Sequence, residues 1–148
     1  MVICATILIM IINKEIFMKP IHRRNTFQRQ LIMEIICNVD NHPTADEIYQ
    51  QILLRYSNIS KATVYRNLNL LAEMGMIKKI ECPGQPDRYD RSVKPHYHAQ
   101  CLRCGRFIDV LMPYNKIMDM EASKASGFDI GKHEIIFEGI CPNCRKEQ

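Results

Sequence analysis

Two C-x-x-C pairs, Cys101/Cys104 and Cys141/Cys144, constrain this chain more than any other feature. Each pair sets two thiolates on one tight turn, where both reach the same tetrahedral ion. Two such turns supply four sulfurs and leave no open coordination position, which is the makeup of a structural zinc site. A single pair would read equally well as a redox dithiol. The 36 residues between Cys104 and Cys141 exceed the span of a simple zinc ribbon. Strands and a helix must therefore lie between the two turns and bring the chain back to the ion. Cys4, Cys37 and Cys82 make the total an odd seven. With no convincing secretory signal, the pattern indicates a reducing cytoplasm and metal-binding thiolates, not a disulfide framework. Cys37 falls in a helix core, and no role can be argued for Cys4.

The chain has 148 residues, 47% hydrophobic and 24% charged, a balance that excludes disordered and fibrous classes. Twenty basic against sixteen acidic side chains give +4, compatible with a nucleic-acid partner without requiring one. The surplus is uneven: residues 18–93 carry 11 Lys/Arg and 8 Asp/Glu, and residues 94–148 carry 8 and 7. Halves of roughly 55–75 residues are small for an unaided core, so a metal staple or dimerisation is expected. Ahead of them, Val2–Ile12 is an apolar run too short to span a bilayer. It also lacks the basic start and small-residue cleavage site of a signal peptide. The expectation is a start at Met18, with 1–17 an apolar tail outside the functional argument, 18–91 a first domain and 92–148 a second.

Within 18–91, Phe27, Leu31 and Ile35 with Ile32 and Ile36 repeat at helical spacing and predict a helix over 27–38. Asp40-Asn41-His42-Pro43 breaks it. Thr44 and Glu47 then form a capping box. Behind them Ala45, Ile48, Tyr49, Ile52 and Leu53 mark a second amphipathic helix ending near Tyr56. Ser60 caps a third helix running to Met74 and stopped by Gly75. Its buried stripe is Val64, Leu68 and Leu71. Ala62, Tyr65, Arg66 and Asn69 face outward, with Lys61 and Thr63 near the leading end, a surface suited to a major groove. Ile77–Cys82 and Arg88–Asp90 flank Pro83-Gly84-Gln85-Pro86 as a hairpin. Three helices followed by a hairpin make a winged helix-turn-helix; a plain three-helix bundle is the alternative. After a linker at 91–95, strands near 97–102 and 106–111, a helix near 113–125 and a strand near 128–138 predict an α+β second domain.

His96-x-His98 precedes the first cysteine pair. On a strand, residues i and i+2 face the same side, so both imidazoles can converge on one ion. Asp90 and Asp109 are candidate oxygen partners, and His42 opens the second helix. Imidazole and carboxylate without thiolate suit iron(II), manganese(II) or zinc, and the additional carboxylate favours iron or manganese. His133 reads either as part of a further metal site or as a structural residue. No Glu stands by the histidines in an H-E-x-x-H arrangement, so a zinc hydrolase is disfavoured and no small organic substrate is expected.

HPTADEIY (42–49), ISKATVYRNLNLLAEMGMI (59–77), RYD (88–90), HYHAQCLRCGRFIDV (96–110) and GICPNC (139–144) together resemble the ferric uptake regulator family. The resemblance covers 24–146, in order and with family spacing. It implies a dimeric, metal-dependent winged-helix repressor of operator DNA, with an N-terminal DNA-binding domain and a C-terminal α/β dimerisation domain. The four cysteines would hold zinc. Within the family the chain is most similar to the peroxide-responsive repressors, whose regulatory site of three His and two Asp matches His42, Asp90, His96, His98 and Asp109. Iron sensors commonly carry Glu where Asp90 and Asp109 stand, and zinc sensors often recruit a cysteine, for which Cys82 lies near in sequence. Many members carry a further helix ahead of the segment seen here as Arg24–Arg29, and Phe27 stands where Pro is common.

The resemblance implies that an iron(II) or manganese(II) ion clamps the two domains and sets the spacing of paired recognition helices. Arg24, Arg29, Lys61 and Arg66 would contact phosphates. Ser60 caps the helix that offers Thr63, Tyr65 and Arg66 to base edges. Peroxide would act through oxidation of His42 or His96. The competing readings are a repressor of the same family that senses iron or zinc supply, and a metal-independent winged-helix DNA-binding protein. None requires a membrane.

Overall fold

Ser, Thr and Asn caps divide the chain into its helices. The computed structural model describes residues 22–146, with side chains from Phe27 onward. The expectations for 1–17, for a start at Met18 and for the Arg24 side chain lie outside the described residues. The chain divides between Val93 and Lys94 into two compact units.

The first unit holds α1 (His22–Asn38), α2 (Ala45–Leu53), α3 (Lys61–Glu73), β1 (Lys78–Ile80) and β2 (Arg88–Asp90). The capping box at α2 is complete: the Thr44 amide donates to Glu47 Oε2 at 2.7 Å, and the Glu47 amide to Thr44 Oγ1 at 3.2 Å. At α3, Ser60 Oγ accepts from the Thr63 amide at 3.2 Å. Gly75, at φ 66, takes the left-handed conformation that closes this helix without a Cβ clash. Ile32, Ile36, Ile48, Ile52, Val64, Leu68 and Leu71 are buried in one core shared by the three helices. Strands β1 and β2 pair antiparallel, with Lys79 opposite Tyr89. This is the expected three helices and hairpin.

Two details differ from the sequence reading. The first helix begins at His22, five residues before the predicted start. Phe27, assigned to its apolar stripe, is 47% exposed and instead meets the Tyr56 ring edge-on at 5.1 Å. It lies a full turn before Leu31, where the packed face begins.

The second unit is a three-stranded sheet ordered β4-β3-β5, with two helices. Its elements are β3 (Tyr97–Cys101), β4 (Phe107–Val110), α4 (Lys116–Ser126), β5 (Ile136–Gly139) and α5 (Pro142–Lys146). Strand β3 is central, antiparallel to β4 and parallel to β5. The last strand is much shorter than the predicted 128–138: it runs from Ile136 to Gly139, and ahead of it Ile135 contributes only its carbonyl, which accepts from the His98 amide at 3.3 Å. A hydrogen-bonded cluster holds that segment instead. His133 Nδ1 lies 2.6 Å from Asp119 Oδ1, its Nε2 3.0 Å from the Tyr97 hydroxyl, and its amide donates to the Tyr114 hydroxyl at 2.9 Å. Among the described residues no helix is long and apolar enough to cross a membrane.

Candidate functional site

The β3–β4 turn makes the first cysteine pair. Cys101 ends β3 and Cys104 lies in the turn, which closes with the Gly105 amide donating to the Cys101 carbonyl at 2.9 Å. Gly105 sits at φ 71, a backbone state that L side chains rarely adopt. Parallel pairing of β3 with β5 sets Cys101 opposite Gly139, two residues before Cys141. The long sequence separation thus closes within one sheet. Cys144 follows on α5, its carbonyl accepting from Arg103 Nη1 at 2.6 Å.

The four sulfurs lie within 4.8 Å of one another, with Cys104 and Cys141 Sγ atoms 3.8 Å apart. A tetrahedral ion with bonds of about 2.3 Å requires sulfur–sulfur edges of about 3.8 Å. Backbone N–H groups, that of Cys141 foremost, hold the Cys101 thiol down to about 6. The neighbouring sulfurs, Cys141 foremost, push Cys144 up to about 12. One thiolate forms readily and a full set does not unless a cation compensates it. The set fits a structural zinc.

Strand register also builds the histidine cluster of this unit. His98 on β3 stands opposite Asp109 on β4, and His96 lies two residues before His98 on the same side. Asp109 Oδ1 is 3.0 Å from His96 Nε2 and 3.6 Å from His98 Nε2, and the two rings stand 4.4 Å apart. His96 Nδ1 lies 2.7 Å from the Lys94 carbonyl, which can only accept, so Nδ1 carries the proton. Nε2, on the other side of the ring, faces the Asp109 carboxylate. Two imidazoles and a carboxylate converging this way fit a regulatory divalent ion.

The first unit presents a second pair. His42 Nε2 lies 3.6 Å from Asp90 Oδ1, both side chains buried. Among the described residues His42 is the one non-glycine at positive φ, 37°. The loop carrying it is bound to β2: the Tyr89 amide donates to the Pro43 carbonyl at 3.0 Å, and Arg88 Nη1 to the His42 carbonyl at 3.1 Å. Asp90 is oriented by the Ser92 amide, which donates to its Oδ1 at 2.7 Å. Cys82 is set apart, its thiol turned to the Ile80 carbonyl at 3.8 Å and pushed up by burial.

On α3, Lys61, Tyr65 and Arg66 are exposed, and Ser60 Oγ and Thr63 Oγ1 meet at 2.8 Å at its leading end. Arg29 on α1 is half-buried. Sequence reasoning missed Asn67, which is buried and donates to the Thr63 carbonyl at 2.9 Å and to Gln28 Oε1 at 3.4 Å. Its place at i+3 from Val64 and i+4 before Leu71 was the available signal. Asp119 and Tyr114, which occupy His133, had no comparable signal.

Three helices with an antiparallel hairpin, a four-cysteine cluster and imidazole–carboxylate sets define a metal-binding winged-helix protein. The pattern of the ferric uptake regulator family matches residues 21–138, and the chain belongs to that family. With it, the chain is a metal-responsive transcriptional repressor. It is 36% identical over 124 residues to the peroxide-responsive repressor PerR of Staphylococcus epidermidis, covering 84% of this chain and 83% of that one. The fold resembles the Campylobacter jejuni peroxide stress regulator, with a TM-score of 0.67 and 27% identity over 86% of this chain and 100% of that one. The Helicobacter pylori ferric uptake regulator gives a TM-score of 0.69 and 26% identity, over 93% and 89% of the two chains.

Proposed function

We propose that this repressor senses peroxide, binds operator DNA as a homodimer, and is switched by oxidation of a ligand histidine. The donor chemistry carries the reading: three imidazoles and two aspartates, with no thiolate, at His42, Asp90, His96, His98 and Asp109. Such a set suits iron(II) and manganese(II). The peroxide-responsive relative supports the choice of signal.

One ion taking His42 and Asp90 together with His96, His98 and Asp109 would tie the DNA-binding unit, 18–91, to the dimerisation unit, 92–148. Five residues separate Asp90 from His96, so engaging the second donor set is an intramolecular step at high effective concentration. The ion favours the DNA-competent arrangement only by its greater affinity for it. On α3, Lys61, Thr63, Tyr65 and Arg66 would face the duplex behind the Ser60 cap, with Arg29 on α1 adding a phosphate contact. Leu111, Phe128, Met120 and Ile117 are exposed apolar groups of the second unit, and a second copy of the chain is the partner they suit.

When bound, iron(II) supplies peroxide reduction beside the ligand rings. His42 or His96 gains one oxygen atom while the remaining atoms of peroxide leave as water. The modified imidazole no longer offers the same nitrogen lone pair, and the two donor sets part. Peptide mass spectrometry on anaerobically iron(II)-loaded protein, before and after a small dose of peroxide, tests this. One added oxygen on His42 or His96, absent with manganese, is expected. Unmodified histidines at confirmed iron occupancy would instead make the chain a metal-supply sensor of the same family. Tight specific DNA binding with the regulatory ion removed would make it a metal-independent repressor.

A further inference from the structure

Lys61 and Tyr65 stand one turn apart on the exposed face of α3, and both are held by one carboxylate on α2. The Lys61 ammonium lies 2.7 Å from Asp46 Oδ1. The Tyr65 hydroxyl donates to the same oxygen at 3.0 Å, and the ammonium lies 5.7 Å from the centre of the Tyr65 ring. Lys61 holds the Asp46 carboxyl below the usual carboxylate range, and Asp46 raises the ammonium in return. Ammonium, carboxylate and phenol are thus joined across α2 and α3 at one oxygen. The cleft beside it is lined by Gln85, Asp87 and Tyr89 as well as Asp46 and Tyr65. Asp87 takes the Lys79 ammonium of β1 at 2.9 Å. Two lysines of this region thus already have a carboxylate partner.

We propose that Asp46 is a specificity-determining residue for DNA: it withholds Lys61 from indiscriminate phosphate binding and orients Tyr65 for a base edge. This rests on the reading of α3 as the recognition helix. Sequence-independent affinity comes from phosphates neutralised by Lys and Arg, and each one steepens the log–log salt dependence by about 0.9. Sequence discrimination comes from groups positioned at base edges. An exposed ion pair is weak, so a phosphate can displace Asp46 from Lys61. The carboxylate nevertheless stays beside that phosphate and repels it. Any duplex experiences that repulsion, whereas only the cognate site offers Tyr65 its base.

The test uses full-length manganese(II)-loaded protein, a duplex selected by the wild type from a random pool, and a scrambled duplex of equal composition. Asp46→Asn keeps an acceptor for Tyr65 and removes the charge. Selected and scrambled duplexes should both bind more tightly, with a salt slope steeper by about 0.9. Asp46→Ala, which also removes the acceptor of the Tyr65 hydroxyl, should in addition lower the selected-to-scrambled affinity ratio. In a Lys61→Met background Asp46→Asn should leave the salt slope unchanged. An unchanged slope in Asp46→Asn, a slope change surviving in Lys61→Met, or an unchanged ratio in Asp46→Ala would overturn the proposal. A wild type that selects no duplex would overturn the recognition-helix reading itself, a separate result.

Discussion

His42 combines three properties seldom found together: a buried imidazole, a left-handed backbone and a carboxylate partner. A non-glycine at φ 37 costs on the order of 1–3 kcal/mol and persists only where the surroundings hold it. Here the hydrogen bonds from Tyr89 and Arg88 do so. His42→Ala should leave the dimer intact by gel filtration yet lower manganese-dependent affinity for DNA by at least about 10–100-fold, the range seen when only a supporting group is lost. Wild-type binding by that variant would remove His42 from the regulatory set. At this scale the sequence was informative where spacing alone sets direction. The i, i+2 interval of His96 and His98 puts both rings on one side of β3. Asp109 was a candidate oxygen partner in the sequence and through the family resemblance. Its approach to the rings, however, follows from strand register, and the setting of His133 from the tertiary contacts of Asp119 and Tyr114, neither of which leaves a local trace.

Elements were legible where a terminus carries its own chemistry. Thr44 and Glu47 announce α2, and Ser60 announces α3. Thr44→Ala should cost about 1 kcal/mol, read as a lower urea midpoint at constant slope. Ends without such a marker were less legible, as the early start of α1 and the late start of β5 show. The connection between β2 and the 41–44 loop could not be read at all, because Arg88 reaches 46 residues back to the His42 carbonyl. That connection predicts a role for a residue that binds no metal. Arg88→Met should weaken manganese(II) binding about 10–100-fold by calorimetry, as loss of a supporting hydrogen bond does elsewhere. An unchanged affinity would show that the loop holds His42 without it.

The two units differ in what keeps them folded. The main apolar cluster belongs to the first unit. In the second, Tyr97 and Phe107 are the largest side chains fully out of water. So small a core needs a staple, and the cysteine cluster supplies one. Stripping zinc with a strong chelator should open β3–β5 to amide exchange while the amides of α1–α3 stay protected. Equal loss in both units would mean that the first cannot stand alone.

Strand β3 carries His98 near one end and Cys101 at the other, three residues and about 10 Å away. An ion at either end therefore restrains the same segment of backbone. Ordering one end lowers the conformational entropy that the other must give up, and such coupling is reciprocal by thermodynamic necessity. Whatever factor zinc contributes to retention of the regulatory ion, that ion returns to zinc. A coupling factor measured for zinc on the regulatory ion should be found again, equal in size, for the regulatory ion on zinc.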